Sequence, residues 1–518
     1  MPAFSQRLRS ASVLEVRKAA VSGGFHDVSA ALRIVGLLAT GHCGKSPWVA
    51  KKTTAQVQPR KYSCLFSGFA CNLSRAHALH TSNRMKKQHR TAKESYRIRT
   101  HLIHGNHESK HWDFDHHLVP PISASAAYRL GSVHRGAQGF VEFASDEAGV
   151  KGHVPIYIYD RLDEPTRGML EDHLAYAEGG ETAVTFATGM AAISAALGIT
   201  NKAGTEIVAH HTLYGCTYSL MTNWLPRFGI TTKFADLRDE RTVKAAITNR
   251  TRVVYFETPV NPTLDLIDIG LVRRWMDEAR SGKGEKDRLL MIVDNTFATP
   301  YCQRPLALGA DLVVHSLTKD IGGFGTDMGG AVIGPLKYHA PLVMYRKDFG
   351  GVLSSKSAWS ILVYGLPTLA TRMVNQQKSA TRVAQFLERH PKVASVHYPG
   401  LETFPQYQLA RRQMTSYDGK FAPGSMVYFV LKGEEKAATE AADRFMDYIA
   451  NHAYSVTLAV SLGQIRTLIE EPYSMTHSAL PAELKHARGL EPGGIRLSIG
   501  LEDWHDIIND LEIALEQV

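Results

Sequence analysis

The chain has few cysteines, no long apolar run, and almost no acid in its first 99 residues. Its five cysteines, Cys43, Cys64, Cys71, Cys216 and Cys302, are irregularly spaced and form no Cys-x-x-Cys pair. This excludes a disulfide scaffold or a cysteine zinc site and suits reduced thiols. No stretch approaches the roughly 18 uninterrupted apolar residues of a membrane span. The 24 histidines show no metal-ligand spacing; the pairs at 116–117 and 210–211 read as loop or core residues, and no metal is expected. Internal repeats and low-complexity runs are missing too, which excludes a solenoid.

The shortage of acid is local. Residues 1–99 hold 18 Lys or Arg against Glu15, Asp27 and Glu94, a net of +15. The other 419 residues hold 41 basic and 47 acidic side chains, a net of −6, so the overall +9 belongs to a tail. The body therefore gives no reason to expect nucleic acid or a membrane as partner. Residues 1–98 read as a basic, unstructured tail. The segment has the Arg-rich, Ser-containing, acid-poor composition of a mitochondrial or other organellar transit sequence. The competing reading is an upstream extension, because Met85 opens MKKQHRTAKES, a suitable start for a protein of the cytoplasm.

What remains is ordinary globular sequence. An apolar fraction of 44% over 518 residues suffices for a large core and two or three domains. Residues 99–158 are polar and irregular and read as an N-terminal arm. From Tyr159 the pattern turns helical in TRGMLEDHLAYAEG (166–179) and GMAAISAALGI (189–199). The short apolar runs EIVAHH, RVVYFE, LLMIVD, DLVVHS and GAVIG follow, separated by helical stretches. This alternation predicts an α/β fold with a mainly parallel sheet over 159–365. Beyond residue 366 long helices separate strands such as GSMVYFVL and GIRLSIGL, which predicts a smaller C-terminal α+β domain over 366–518.

Chemistry gathers between Asp294 and Gly330. The run LLMIV ends on Asp294 and Asn295; the run ADLVV ends near Ser316, Thr318 and Lys319, before a glycine-rich loop. The carboxyl ends of parallel strands form the ligand crevice of such folds. An Asp, a Lys and two hydroxyls delivered there suit pyridoxal phosphate: the lysine forms a Schiff base, the carboxylate holds the ring nitrogen protonated, and the hydroxyls bind phosphate. Singly, each residue has a plainer reading, Asp294 as a cap and Lys319 as a solvated side chain. Thr188-Gly189-Met190 opens a helix whose free amides can take a phosphate. Tyr214 can stack on a planar ring or simply fill a core.

The segments YDRLDEPTRGMLEDHLAYAEGG, FATGMAAI, TLYGCTYS, YFETPVNPTL, VDNTFATPYCQRPLALGADLVVHSLTK, LAVSLG, SMTHS and GGIRLSIGLED share one order and spacing. In them the chain, from about residue 100 to 518, resembles the cystathionine/methionine γ-lyase family of pyridoxal-phosphate enzymes of Cys/Met metabolism. The resemblance implies a fold-type I, aspartate aminotransferase-like architecture and homotetramers, dimers of dimers with shared active sites. It implies Lys319 as the Schiff-base lysine, Asp294 as the ring-nitrogen partner and Tyr214 as the stacking and proton-transfer residue. Gly189, Met190, Ser316 and Thr318 would hold the phosphate, with Tyr159 and Arg161 reaching the phosphate of a neighbouring subunit. Glu257 and Asn261 would line the cofactor side. Arg496, helped by Ser461, would clamp the substrate carboxylate through two parallel hydrogen bonds.

Three positions depart from the family pattern. Glu164 replaces an Asn, Asp320 an aromatic, and Phe324 a His or Gln. Cys216, after Tyr214-Gly215, and the pair Lys347-Asp348 resemble the methionine γ-lyases of the family. Val460 stands where cystathionine-cleaving members often carry a Glu, and an apolar side chain cannot pair a distal ammonium. The expected reaction is therefore γ-elimination on a small sulfur amino acid, as in methionine γ-lyase, giving 2-oxobutanoate, ammonia and a thiol. The alternatives are an O-acylhomoserine sulfhydrylase, a cystathionine γ-synthase or a cystathionine γ-lyase. More distant ones are a non-catalytic cofactor-binding scaffold or a protein acting through its basic tail.

Overall fold

The computed structural model describes residues 96–105, 117–145, 155–280, 288–475 and 489–518, with 483 and 485. All lie in one compact unit, Gln88–Val518. The tail readings fall outside the described residues except at their last three positions.

The α/β body opens on helix α1 (Pro165–Glu178). Its N-cap is Glu164, whose carboxylate accepts from the amides of Thr166 and Arg167 at 2.8 and 2.5 Å. The first departure from the family pattern is thus a working cap: a carboxylate satisfies two of the open amides of the first turn.

Seven strands follow, β1 (Thr182–Phe186), β2 (Glu206–His210), β3 (Thr231–Ala235), β4 (Thr251–Glu257), β5 (Leu290–Asp294), β6 (Leu312–Ser316) and β7 (Gly330–Gly334). They form one sheet in the order β1-β7-β6-β5-β4-β2-β3. The pairs β3–β2, β2–β4, β4–β5 and β5–β6 are parallel, while β7 runs antiparallel to both β1 and β6. All five apolar runs picked out in the sequence are strands. TAVTF and TTKFA are strands as well, and carry too few apolar residues to announce themselves.

Successive strand residues point to opposite faces, and both faces are covered. Ile207, Val253, Tyr255 and Ile292 pack with Ala192, Ile193 and Leu197 of helix α2 (Gly189–Thr200). Val208, Val254, Phe256 and Val293 pack with Val272 and Met276 of helix α3 (Ile269–Ala279). Sheets buried on both faces read as continuous apolar runs, which is how these strands read.

Helix α4 (His339–Phe349) lies near α2, and a long helix α5 (Leu366–Arg389) then bridges two cores. Leu366, Leu369 and Met373 join the core beside α1; Val383, Ala384 and Leu387 join a second one. That second core covers a five-stranded sheet of β8 (Val393–His397), β9 (Met426–Leu431), β10 (Val456–Leu458), β11 (Thr467–Glu470) and β12 (Gly494–Ser498). Its order is β10-β11-β12-β9-β8. Helices α6 (Glu435–His452) and α7 (Trp504–Glu516) pack on the same face. On the opposite face Met426, Tyr428 and Val430 meet Leu264 and Phe297, from loops that follow β4 and β5. The two sheets therefore meet at the carboxyl ends of the parallel strands.

Parts of the expected arm are built into this body. Leu102 is buried in the core beside α1, and Pro120 accepts a hydrogen bond from the Trp359 indole at 2.8 Å. Among the described residues no helix is long and apolar enough to cross a membrane.

Candidate active site

Strand register decides what meets at the crevice. Glu257, the last residue of β4, pairs with Asp294, the last of β5. Ser316, the last of β6, pairs with Gly330 at the start of β7, and Gly330 also pairs with Phe186 at the end of β1. Two residues past Phe186 the chain turns into α2, whose N-cap Thr188 accepts from the Ala191 amide at 3.1 Å. A β-carbon at Gly189 would lie 2.8 Å from Ser316 Cβ, and one at Gly330 would collide with the Thr188 carbonyl. The helix N-terminus and the end of β6 thus close on each other around two glycines. They leave backbone amides beside the Ser316 hydroxyl, an arrangement that suits a phosphate. Thr318 is engaged elsewhere: its hydroxyl accepts from the Gly329 amide at 3.1 Å.

Across the crevice stands Lys319. Its Nζ donates to the Ser461 hydroxyl at 2.7 Å. The Ser461 carbonyl accepts from Arg496 Nη2 at 2.9 Å, and Arg496 Nη1 donates to the Asn261 side chain at 3.0 Å. Four of the residues expected from the sequence, Lys319, Ser461, Arg496 and Asn261, are therefore one connected set. Burial pushes the Lys319 amine down, and the Arg496 cation pushes it further in the same direction; Glu470 and Asp320 oppose them. A depressed amine is the form a proton acceptor needs.

Two buried carboxylates lie side by side. Burial pushes Glu257 well up, and the Asp294 carboxylate adds to it. Burial likewise raises Asp294, against the Thr296 hydroxyl and amide. Glu257 Oε1 is buried without a hydrogen-bond partner. A pair of acids in this state fits a cationic group, and a protonated pyridine nitrogen is one. Beneath Asp294, Asn295 and His315 share the Glu178 carboxylate at 2.7 and 2.5 Å, which braces the end of the strand.

Tyr214 and Cys216 lie at the open side. Burial and then the Cys216 thiol push the Tyr214 phenol up to about 12, so it stays protonated near neutrality. Val460 is 61% exposed beside Ser461. Met190 accepts a weak contact from the Thr217 hydroxyl at 3.9 Å. Tyr159 and Arg161 are not drawn into the Lys319 set within this chain: Arg161 lies over the Tyr159 ring at 5.6 Å and donates to the Lys347 carbonyl at 2.6 Å. Lys347 pairs with Asp348 at 3.2 Å. Phe324 sits under the Arg372 guanidinium at 5.7 Å.

One group of potential metal ligands exists among the described residues: His210, His211 and Asp236. Several of its ligand atoms are already engaged. Both Asp236 oxygens accept from Arg238 at 2.9 Å, and His210 Nδ1 accepts from the Leu237 amide at 3.2 Å. Burial, then His211, pushes His210 down to about 3, so it stays neutral.

Residues 99–516 match the family described as Cys/Met metabolism PLP-dependent enzyme. The chain belongs to that family. It is 42% identical over 404 residues to the L-methionine gamma-lyase of Fusobacterium nucleatum subsp. polymorphum, covering 77% of this chain and 94% of that protein. It is 37% identical over 363 residues to the cystathionine gamma-lyase of Bacillus subtilis (strain 168), covering 70% and 89%. A crystal structure of cystathionine gamma-lyase from Lactobacillus plantarum complexed with L-serine superposes with a TM-score of 0.70 at 31% identity, over 82% of this chain and 99% of that one. The architecture is fold-type I, the cofactor of the family is pyridoxal phosphate, and the residues at the crevice fit it.

Two buried acids escaped the sequence reading in different ways. Glu470 was not singled out at all. Asp320 was, but only as a departure from the family pattern. Its side chain is buried, and neither carboxylate oxygen has a hydrogen-bond partner; Arg372 donates at 2.6 Å to its backbone carbonyl instead. The Ser425 hydroxyl and the Cys302 thiol stand near it.

Burial raises Asp320 from 3.8 to about 6. A folded-state value above the unfolded one means that stability is full below pH 3.8 and falls as the pH rises towards 6. A rise of this size corresponds to about 3 kcal/mol at most. Asp320→Asn is therefore expected to raise the thermal midpoint at pH 8, with the gain vanishing near pH 4. Melting curves at both pH values check this, and a variant that loses stability at pH 8 contradicts it.

Proposed function

We propose that this chain catalyses γ-elimination on a sulfur amino acid with an uncharged distal end, methionine foremost. With water the balanced products are 2-oxobutanoate, ammonia and methanethiol. The observation that carries this is Val460. It directly precedes Ser461, the residue that joins Lys319 to Arg496, so the chain position flanking the junction of base and clamp is apolar. The likeness to L-methionine gamma-lyases supports the same reading.

The geometry supports a role for each residue. Bound in the crevice by Ser316, the amides of Gly189 and Met190, and Asp294, pyridoxal phosphate supplies a sink for the electron pair left at Cα. Arg496 takes the substrate carboxylate. Lys319, its amine steered by the Ser461 hydroxyl and depressed by burial, accepts the Cα proton. Tyr214, held protonated, delivers a proton to the departing sulfur. Burying the ammonium of cystathionine against Val460 would leave it unpaired, at a cost of about 1–3 kcal/mol.

A second reading, γ-replacement with a thiol, uses the same residues, and the likeness to the solved cystathionine gamma synthase of Xanthomonas oryzae pv. oryzae keeps it in view. Incubating the holoenzyme with methionine, cystathionine, or O-acetylhomoserine plus sulfide separates the two. 2-Oxobutanoate from methionine is the expected result. Val460→Glu should then raise the cystathionine-to-methionine ratio of kcat/KM by roughly tenfold for each 1.4 kcal/mol recovered. A wild type that already prefers cystathionine overturns the methionine reading.

We also propose a homotetramer of shared-site dimers, because Tyr159 and Arg161 do not reach the Lys319 set of their own chain. Mixing inactive Arg161→Ala with inactive Lys319→Ala protein should restore part of the activity once subunits exchange. Proven exchange without recovery would exclude the shared site.

A further inference from the structure

Glu470 is a buried acid that the reaction scheme above does not use. It is the last residue of β11 and stands directly opposite Arg496 on β12 in the antiparallel register. Side chains opposed in this way share a face of the sheet. Glu470 Oε2 lies 2.8 Å from Arg496 Nη2, and the two side chains are 1% and 5% exposed. The guanidinium is held independently by Asn261 Oδ1 and by the Ser461 carbonyl. Its Nε is buried and has no hydrogen-bond partner.

These observations describe a clamp with one donor still unpartnered and an acid already paired beside it. That charge reaches further than Arg496: it acts on Lys319 and on Tyr214 as well. An incoming carboxylate therefore meets an ion pair, not a bare cation. Coulomb repulsion between two carboxylates on one guanidinium is strong in a buried site. Nor does Glu470 serve only to aim the arginine, since two other groups already fix its direction.

Resting on the amino-acid reading of the site, we propose that Glu470 is a positioning residue that screens Arg496, weakening the grip on carboxylates of both substrate and product. It is a determinant of affinity that never touches the ligand. Screening and aiming predict opposite signs. Removing an aiming residue loosens carboxylate binding, whereas removing a screening charge tightens it.

The test uses the holoenzyme and two probes that cannot undergo γ-elimination. L-Norleucine carries the carboxylate; 1-aminopentane is the same molecule without it. Dissociation constants are read from the visible spectrum. In Glu470→Gln, which keeps an acceptor oxygen for the guanidinium, norleucine should bind at least roughly tenfold tighter, about 1.4 kcal/mol, while 1-aminopentane is unchanged. Glu470→Asp keeps the charge and draws it back, so it should fall between wild type and Gln, and it serves as well if the Gln variant folds poorly. Norleucine binding that is unchanged or weaker in both variants overturns the proposal alone. A wild type that binds the two probes equally has no carboxylate clamp, and then the functional reading falls with it.

Discussion

Ser461 holds the site together. Its hydroxyl accepts from Lys319 Nζ and its carbonyl accepts from Arg496 Nη2. One residue thereby ties the base, in the turn after β6 of the large sheet, to the clamp, on β12 of the other. To do both it adopts φ 93°, in the region that L-residues with a side chain rarely occupy. Such a conformation costs on the order of 1–3 kcal/mol and persists only where the surroundings determine it. Here β10 lies on one side and the crevice on the other. Gly463, two residues on, must itself be a glycine at φ 74°, because a β-carbon there would press into Asp320.

Around this junction the charges come in buried pairs, and each pair is incomplete in a way that suits a ligand. Glu257 and Asp294 lie together, and Glu257 Oε1 has no hydrogen-bond partner. Arg496 and Glu470 lie together and leave Nε open. Lys319 is pushed down by its surroundings, while Tyr214 is pushed up. A partly buried amine pushed down and a more exposed phenol pushed up sit at one opening. This separation of values by environment is how two groups acquire opposite proton-transfer roles.

Much of this was legible in the sequence. Asp294, Ser316 and Lys319 could be read because strand ends in α/β sheets deliver side chains to one crevice, and the five apolar runs showed where those ends fall. Arg496, Ser461 and Asn261 could not be read that way. They lie 35 to 235 residues from their partners, and only resemblance to a family drew them together. Glu470 stayed hidden because its meaning lies in the β11–β12 register, and TLIE has no periodicity that reveals which residue it opposes. The direction of Asp320 was equally hidden, since it depends on Arg372 bonding the backbone instead of the carboxylate. Glu164 shows the reverse case: a departure from the family pattern that local capping explains completely.

The central claim is that Lys319 is the amine at which the cofactor and the substrate are exchanged. Borohydride reduction of the holoenzyme, followed by peptide mapping of the modified lysine, tests it most directly. The account predicts one labelled peptide, containing HSLTKDIGG, and no label there in Lys319→Ala. Label on any other lysine of the wild type would contradict it.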